Sequence, residues 1–435
     1  MSKAKLTLVL LSALVLTILI VVLLVSIFEH KQEAKLTYFK VVELEDGEPD
    51  PAVWGQNFPR HYDGYTKTMR TSELMKYSLY GRYGGSEAFS RLDRYPEYRR
   101  LFDGYSFSVE YGEDRGHMRA LEDMLATARL GDKKPGTCMT CKSSQVPSMM
   151  QKLEIDGFYA TPVKELMDRF DLKHSIACAD CHDAKTTALH ISRPAFKEAM
   201  AQRGIDLAQA TRQEMRTYVC AQCHVEYFFR GKDNYLVFPW AKGLKLEDIE
   251  TYYDGINFRE WEHGETKAPL VKINHPEYEL WSSGIHARSG VACADCHMPY
   301  EREGAVKISS HWVRTPLANL TNACGTCHRL PEEELRVRIL EAQDRTYSLM
   351  KRAEEAILDA QGAIRTAMER GAADQALQGA RRLHRRAFMR WDFISAENSM
   401  GFHSPQEAVR ILGDAIDYGR QAELEAYKVM EGPGQ

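Results

Sequence analysis

The sequence predicts a mostly α-helical fold with few short strands and long C-terminal helices, on three observations. An uncharged run opens the chain, all ten cysteines fall in Cys-x-x-Cys pairs, and the cysteine-free remainder places apolar residues at helical spacing. At 435 residues and 44% hydrophobic content the chain has room for two or three domains and a real core. Its formal charge is −4 and it carries no long unbroken basic run, so no nucleic-acid partner is expected.

Taken in order, residues 1–28 form the first segment. Leu6 to Phe28 holds no charge and is about long enough to cross a bilayer as a helix. Lys3 and Lys5 precede it, which suits a signal peptide and an uncleaved anchor equally. The run is long for a signal peptide and Val25-Ser26-Ile27 is a poor cleavage site, which favours a retained membrane anchor. On either reading the rest of the chain is exported. Residues 29–52 are charged and mixed and read as a stalk.

The body, 53–330, holds Cys138/Cys141, Cys178/Cys181, Cys220/Cys223, Cys293/Cys296 and Cys324/Cys327. Four pairs are followed at once by His182, His224, His297 and His328, a placement whose chance is on the order of one in a million given fifteen histidines. Cys-x-x-Cys-His reads as c-type haem attachment: two thioethers hold the porphyrin edge while the adjacent imidazole reaches the iron. Zinc would leave the regular histidines unexplained and one pair without a mate. From Cys138 to His328 the chain spends 191 residues on five pairs, so haem itself must form much of the core. Within it, "HMRALEDMLATARL" predicts a helix beginning at His117, "EMRTYVCAQCHVEYFF" a helix carrying a cysteine pair, and "YFFRGKDNYLVFPW" a hairpin.

The region 331–435 predicts three long helices, the first opened by glutamates. Such helices either form an interface with a second copy or fold back on themselves as a bundle.

The fifth cysteine pair is followed by Lys142 instead of histidine. A lysine binds iron only as the neutral amine, so a chain with four ordinary sites and one odd one has separated relay haems from a working haem; the alternative is a surface lysine beside a haem ligated from elsewhere. Packed haems also suit an electron-transfer cytochrome without substrate chemistry.

One Cys-x-x-Cys-Lys followed by four Cys-x-x-Cys-His resembles the pentahaem cytochrome c nitrite reductase family, periplasmic ammonia-forming enzymes. The likeness extends over roughly residues 50 to 425, through "VEYGEDRGH", "CHVEYFF", "KINHPEYE", "SGIHARSGVACADCHMP" and "DFISAENSMGFHSP". It implies five covalently bound haem c groups, with Lys142 as proximal ligand of the working haem and nitrite on its open face among Arg115, Tyr227 and His275. It implies the distal ligands His117, His311, His403 and His286 for the haems of Cys220/Cys223, Cys178/Cys181, Cys293/Cys296 and Cys324/Cys327. It further implies a calcium ion held by Glu226, the carbonyls of Tyr227 and Lys272, and Asn274, where the family carries a glutamine one methylene longer. A homodimer and a membrane-bound, quinol-oxidising multihaem cytochrome as electron donor complete the expectation. Related reductases acting on hydroxylamine, nitric oxide or sulfite stay open.

Overall fold

The computed structural model describes residues 2–33, 40–69, 90–112, 115–131, 134–304 and 306–431. Helix α1 (Lys3–Glu33) extends beyond the uncharged run, and its leucines, valines and isoleucines stand exposed. By length and composition it is able to cross a membrane.

From Val41 the chain lies against the body. Asn57, at the end of α2 (Pro51–Asn57), accepts the Val41 and Val42 amides at 2.7 and 3.0 Å, and Leu44 is buried in a small cluster with Trp54. The next helix, α3 (Pro59–Thr66), comes close to His311: a methyl at Gly64 would stand 3.3 Å from the His311 amide nitrogen.

The helix expected from His117 starts as a 3-10 turn, His117–Arg119, continues as α4 (Ala120–Ala126) and stops there, short of the periodic stretch. Glu110 accounts for the stop. Its carboxylate accepts the Ala128 and Arg129 amides at 2.7 and 2.6 Å, replacing the carbonyls that further helical turns would supply. Helix α5 (Arg212–Ala221) carries Cys220 and is opened by a Thr211–Glu214 capping box. The predicted hairpin pairs β1 (Phe228–Arg230) with β2 (Tyr235–Val237) across a turn in which Gly231 has φ 72°. Two further hairpins, Trp261–Glu262 with Pro269–Leu270 and Tyr300–Glu303 with Val306–Ser309, complete the strands among the described residues. A short helix, α6 (Glu277–Ser282), follows the "KINHP" stretch.

The three long helices are α7 (Glu332–Glu369), α8 (Asp374–Ala396) and α9 (Pro405–Glu431). Glu332, Glu333 and Glu334 sit in the first turn of α7, where acidic side chains favour the helix dipole. Ala408, Ala415 and Ala422 recur at seven-residue spacing on the buried face of α9, and Gly419 lies against Ala356 of α7, so the helices approach closely. Within one chain the three pack on each other, as in the fold-back alternative, while Leu424 and Tyr427 of α9 remain exposed.

Helix α8 fixes the bundle to the body. Phe388 and Trp391 meet Phe102 and Tyr98 in edge-to-face contacts at 5.3 and 5.1 Å, and Arg390 pairs with the buried Glu250 at 3.0 Å. A second core, built on Met139, Phe158, Tyr159, Phe196 and Trp240, supports the first cysteine pair and α5.

Candidate functional site

All ten cysteines are free and line one continuous cavity of about 1720 Å³. The same lining includes Lys142, Tyr227, His275 and the eight histidines named as axial ligands. The motifs abut out of strict chain order: Cys141 of the first pair contacts Cys223 of the third, Cys220 contacts Cys293 of the fourth, and Cys296 lies near Cys324 and Cys327.

The eight histidines stand in four facing pairs. Ring centres are 6.3 Å apart for His117/His224, 6.1 Å for His182/His311, 6.2 Å for His297/His403 and 6.3 Å for His286/His328. Two imidazoles that both bind one ion at about 2.0 Å have ring centres about 6 Å apart, so the spacing fits one iron between each pair. The fit of the lining to five covalently held haems rests on these pairs and the ten thiols.

Backbone and carboxylate groups orient these rings. Nδ1 of His182 meets the Thr187 carbonyl at 2.9 Å, Nδ1 of His311 the Ser309 carbonyl at 2.8 Å, and Nδ1 of His297 the Arg314 carbonyl at 3.1 Å. For His403 the partner is the Glu397 carboxylate, 2.5 Å away and wholly buried. Such partners leave Nε2 for a metal. Burial pushes His117 and His297 down to about 4 and His311 to about 3, which keeps them in the neutral, ligating form. Burial acts the same way on His224, but Glu277 outweighs it and lifts that ring to about 9.

The Lys142 turn is held from behind by Arg193, which has no solvent exposure and donates to the carbonyls of Thr140 and Ser143 at 2.5 and 3.0 Å while pairing with Asp180. Tyr227 and His275 share the cavity with Lys142; the His275 ring centre is 6.4 Å from that of His224. Burial pushes the Tyr227 hydroxyl well above its usual range, so it keeps its proton. Arg115 is outside the lining. Its guanidinium is taken by Asp123 at 2.5 Å and Glu122 at 2.8 Å.

Of the named calcium donors, Glu226, Asn274 and the Tyr227 carbonyl come together. Glu226 is fully buried and accepts from the Tyr253 hydroxyl at 2.7 Å and the Asn274 amide at 2.6 Å, while the Asn274 side chain donates to the Tyr227 carbonyl at 2.8 Å. These are hard oxygen donors of the kind calcium takes, and a half-turn of the Asn274 amide brings its oxygen to the same place. The Lys272 amine pairs with Asp392, 3.1 Å away, which leaves the carbonyl named as the calcium donor uninvolved in that contact.

Sequence reasoning gave no role to Arg193, Glu277, Glu397 or Asp392, although "KINHPEYE" contains Glu277 and "DFISAENSMGFHSP" contains Asp392 and Glu397. Only their burial would have marked them.

The cytochrome c552 family model matches residues 50–435. Among curated proteins, cytochrome c-552 of Bacteroides fragilis is 41% identical over 417 residues, covering 94% of this chain and 81% of the relative. Cytochrome c-552 of Porphyromonas gingivalis is 39% identical over 432 residues, covering 97% and 85%. Among solved structures, the catalytic subunit NrfA of cytochrome c nitrite reductase from Desulfovibrio desulfuricans, a protein with two calcium sites, superposes with a TM-score of 0.81. It is 33% identical, and the match covers 89% of this chain and 87% of that one.

Proposed function

This chain belongs to the cytochrome c552 family, and from that membership we propose that it is an ammonia-forming nitrite reductase, an oxidoreductase that reduces nitrite by six electrons to ammonium. The observation that carries the reading is an asymmetry in the cavity. Four cysteine pairs are followed by a histidine that faces a second histidine, whereas the fifth is followed by Lys142 and shares its surroundings with Tyr227 and His275.

Haem c, covalently held at each cysteine pair, supplies when bound the iron that accepts nitrite and the route for its electrons. Lys142 would hold the working iron from one side, with the eight paired histidines holding the other four. On the open side His275 would donate protons and take them back from solvent, and Tyr227, kept protonated by burial, would donate a hydrogen bond to nitrite oxygen. Arg115 has the forked geometry for the same oxygens, provided it exchanges one of its two carboxylate contacts for the substrate. Calcium would sit on Glu226, Asn274 and the carbonyls of Tyr227 and Lys272, tying the Tyr227 and His275 segments together.

Helix α1 would anchor the protein in the membrane with its body in the periplasm, within reach of a quinol-oxidising multihaem cytochrome as donor. The exposed face of α9 suits a homodimer contact.

The test is an EPR spectrum of the haem-loaded protein with and without nitrite, followed by an ammonium assay with a reduced dye as donor. The expected result is one high-spin haem that responds to nitrite, with stoichiometric ammonium. Five low-spin haems indifferent to nitrite would instead identify an electron carrier, and a preference for hydroxylamine, nitric oxide or sulfite would reassign the substrate.

A further inference from the structure

Glu277 is the first residue of α6, and the start of that helix touches both halves of the site. The Glu277 amide donates to the His275 carbonyl at 2.9 Å, and the Tyr278 amide to the His224 carbonyl at 3.2 Å. The Glu277 side chain is 10% exposed and lines the cavity, with Oε1 3.8 Å from Nδ1 of His275 and 3.9 Å from Nδ1 of His224. Asn398 donates to the same oxygen at 2.5 Å. Oε2 of Glu277 and Nδ1 of His275 are both buried without a hydrogen-bond partner.

Both imidazole separations exceed a hydrogen bond. With two carboxylate oxygens and two facing imidazoles, a small rotation gives each oxygen one ring nitrogen, and such contacts commonly tighten only when a site is loaded. We propose that Glu277 is a positioning residue shared by the substrate side and the relay: its carboxylate holds the Nδ1–H of His275 and that of His224. His275 is thereby fixed in the tautomer and orientation that turn Nε2 toward substrate, and His224 in those that leave Nε2 for iron. A carboxylate behind a ligating histidine also makes that ligand more basic, so the same residue tunes the haem next to the working one.

This inference rests on the reading of His275 as proton donor, and the experiment separates the two. Full-length, haem-loaded Glu277→Gln, Glu277→Asp and His275→Asn proteins are compared for kcat and KM with nitrite and for the midpoint potentials of their low-spin haems. Glutamine offers an N–H where the imidazoles need an acceptor. Glu277→Gln is expected to lower kcat by about 10- to 100-fold with KM little changed, and to raise the potential of one low-spin haem. Glu277→Asp, which keeps the carboxylate, is expected to recover most of both. A slow His275→Asn beside a Glu277→Gln that matches wild type in rate and potentials overturns this proposal alone. A wild-type rate in His275→Asn removes the proton donor and this proposal with it. Equal losses in Glu277→Gln and Glu277→Asp together with loss of haem would make the residue a scaffold element, which also overturns the proposal.

Discussion

The guanidinium of Arg193 donates through Nε to the Thr140 carbonyl at 2.5 Å, from a position with no exposure to solvent. The same side chain pairs with the buried Asp180, so one residue straps the "TCMTCK" turn to the "CADCH" motif. Replacing Arg193 by Met would leave Asp180 buried and unpaired, a change that costs about 3–5 kcal/mol in comparable settings. The expected outcome is a lowered unfolding temperature of the haem-loaded protein and a disturbed spectrum of the haem at Cys138/Cys141. Arg193→Lys should fare little better, because lysine lacks the fork that reaches two carbonyls and a carboxylate together.

Lys142→Ala is expected to abolish nitrite reduction while the four histidine-paired haems keep their low-spin spectra. None of the eight histidines depends on Lys142 for its facing partner, so the loss should be confined to one haem. Turnover measured beside EPR checks both halves of the expectation, and unchanged turnover would remove Lys142 from the mechanism.

The cysteine pairs and their following histidines or lysine were legible because haem attachment is written in consecutive residues. The three long helices were legible because burial of one face imposes a local period. Contacts between distant segments were not. Arg193 meets Thr140 across 53 positions and Asp392 meets Ile273 across 119, and no local pattern encodes either. The facing of His117 and His224 likewise came from the family resemblance and not from spacing. The early end of the helix after His117 is illegible for a related reason: its terminator, Glu110, lies outside the periodic stretch. The resemblance that singles out Arg115 carries no sign that Asp123 and Glu122 engage it.

Calcium has a distinct expected signature. Burial pushes the Glu226 carboxyl well above its usual range, and a cation on that oxygen would offset the cost of keeping it ionised. Chelation should therefore lower the unfolding temperature and the turnover together, with both restored by added calcium. Saturation at 100 times the dissociation constant corresponds to about 2.7 kcal/mol of stabilisation. Asn274→Gln, which lengthens the donor by one methylene, should lower the calcium concentration needed, and Asn274→Ala should raise it.

The pH dependence of stability should have a component traceable to Glu279. Its side chain is 2% exposed; Oε1 accepts from Trp240 Nε1 at 2.8 Å and from the Glu226 amide at 2.9 Å, while Oε2 is buried without a partner. Burial dominates and pushes this carboxyl from 4.5 up to about 8, despite the two donors. A carboxyl raised in the folded state binds its proton more tightly folded than unfolded. Its contribution to stability is therefore complete below about 4.5 and is lost as the pH rises through about 8. Glu279→Gln keeps an oxygen for Trp240 and the Glu226 amide but cannot ionise. Denaturant unfolding of the haem-loaded variant should thus show a smaller fall in stability between pH 5 and pH 9 than wild type, roughly the interval spanned by the two protonation limits. An undiminished fall would mean that Glu279 is already ionised in the folded protein near neutral pH, and that the loss of stability belongs to other buried carboxyls such as Glu226.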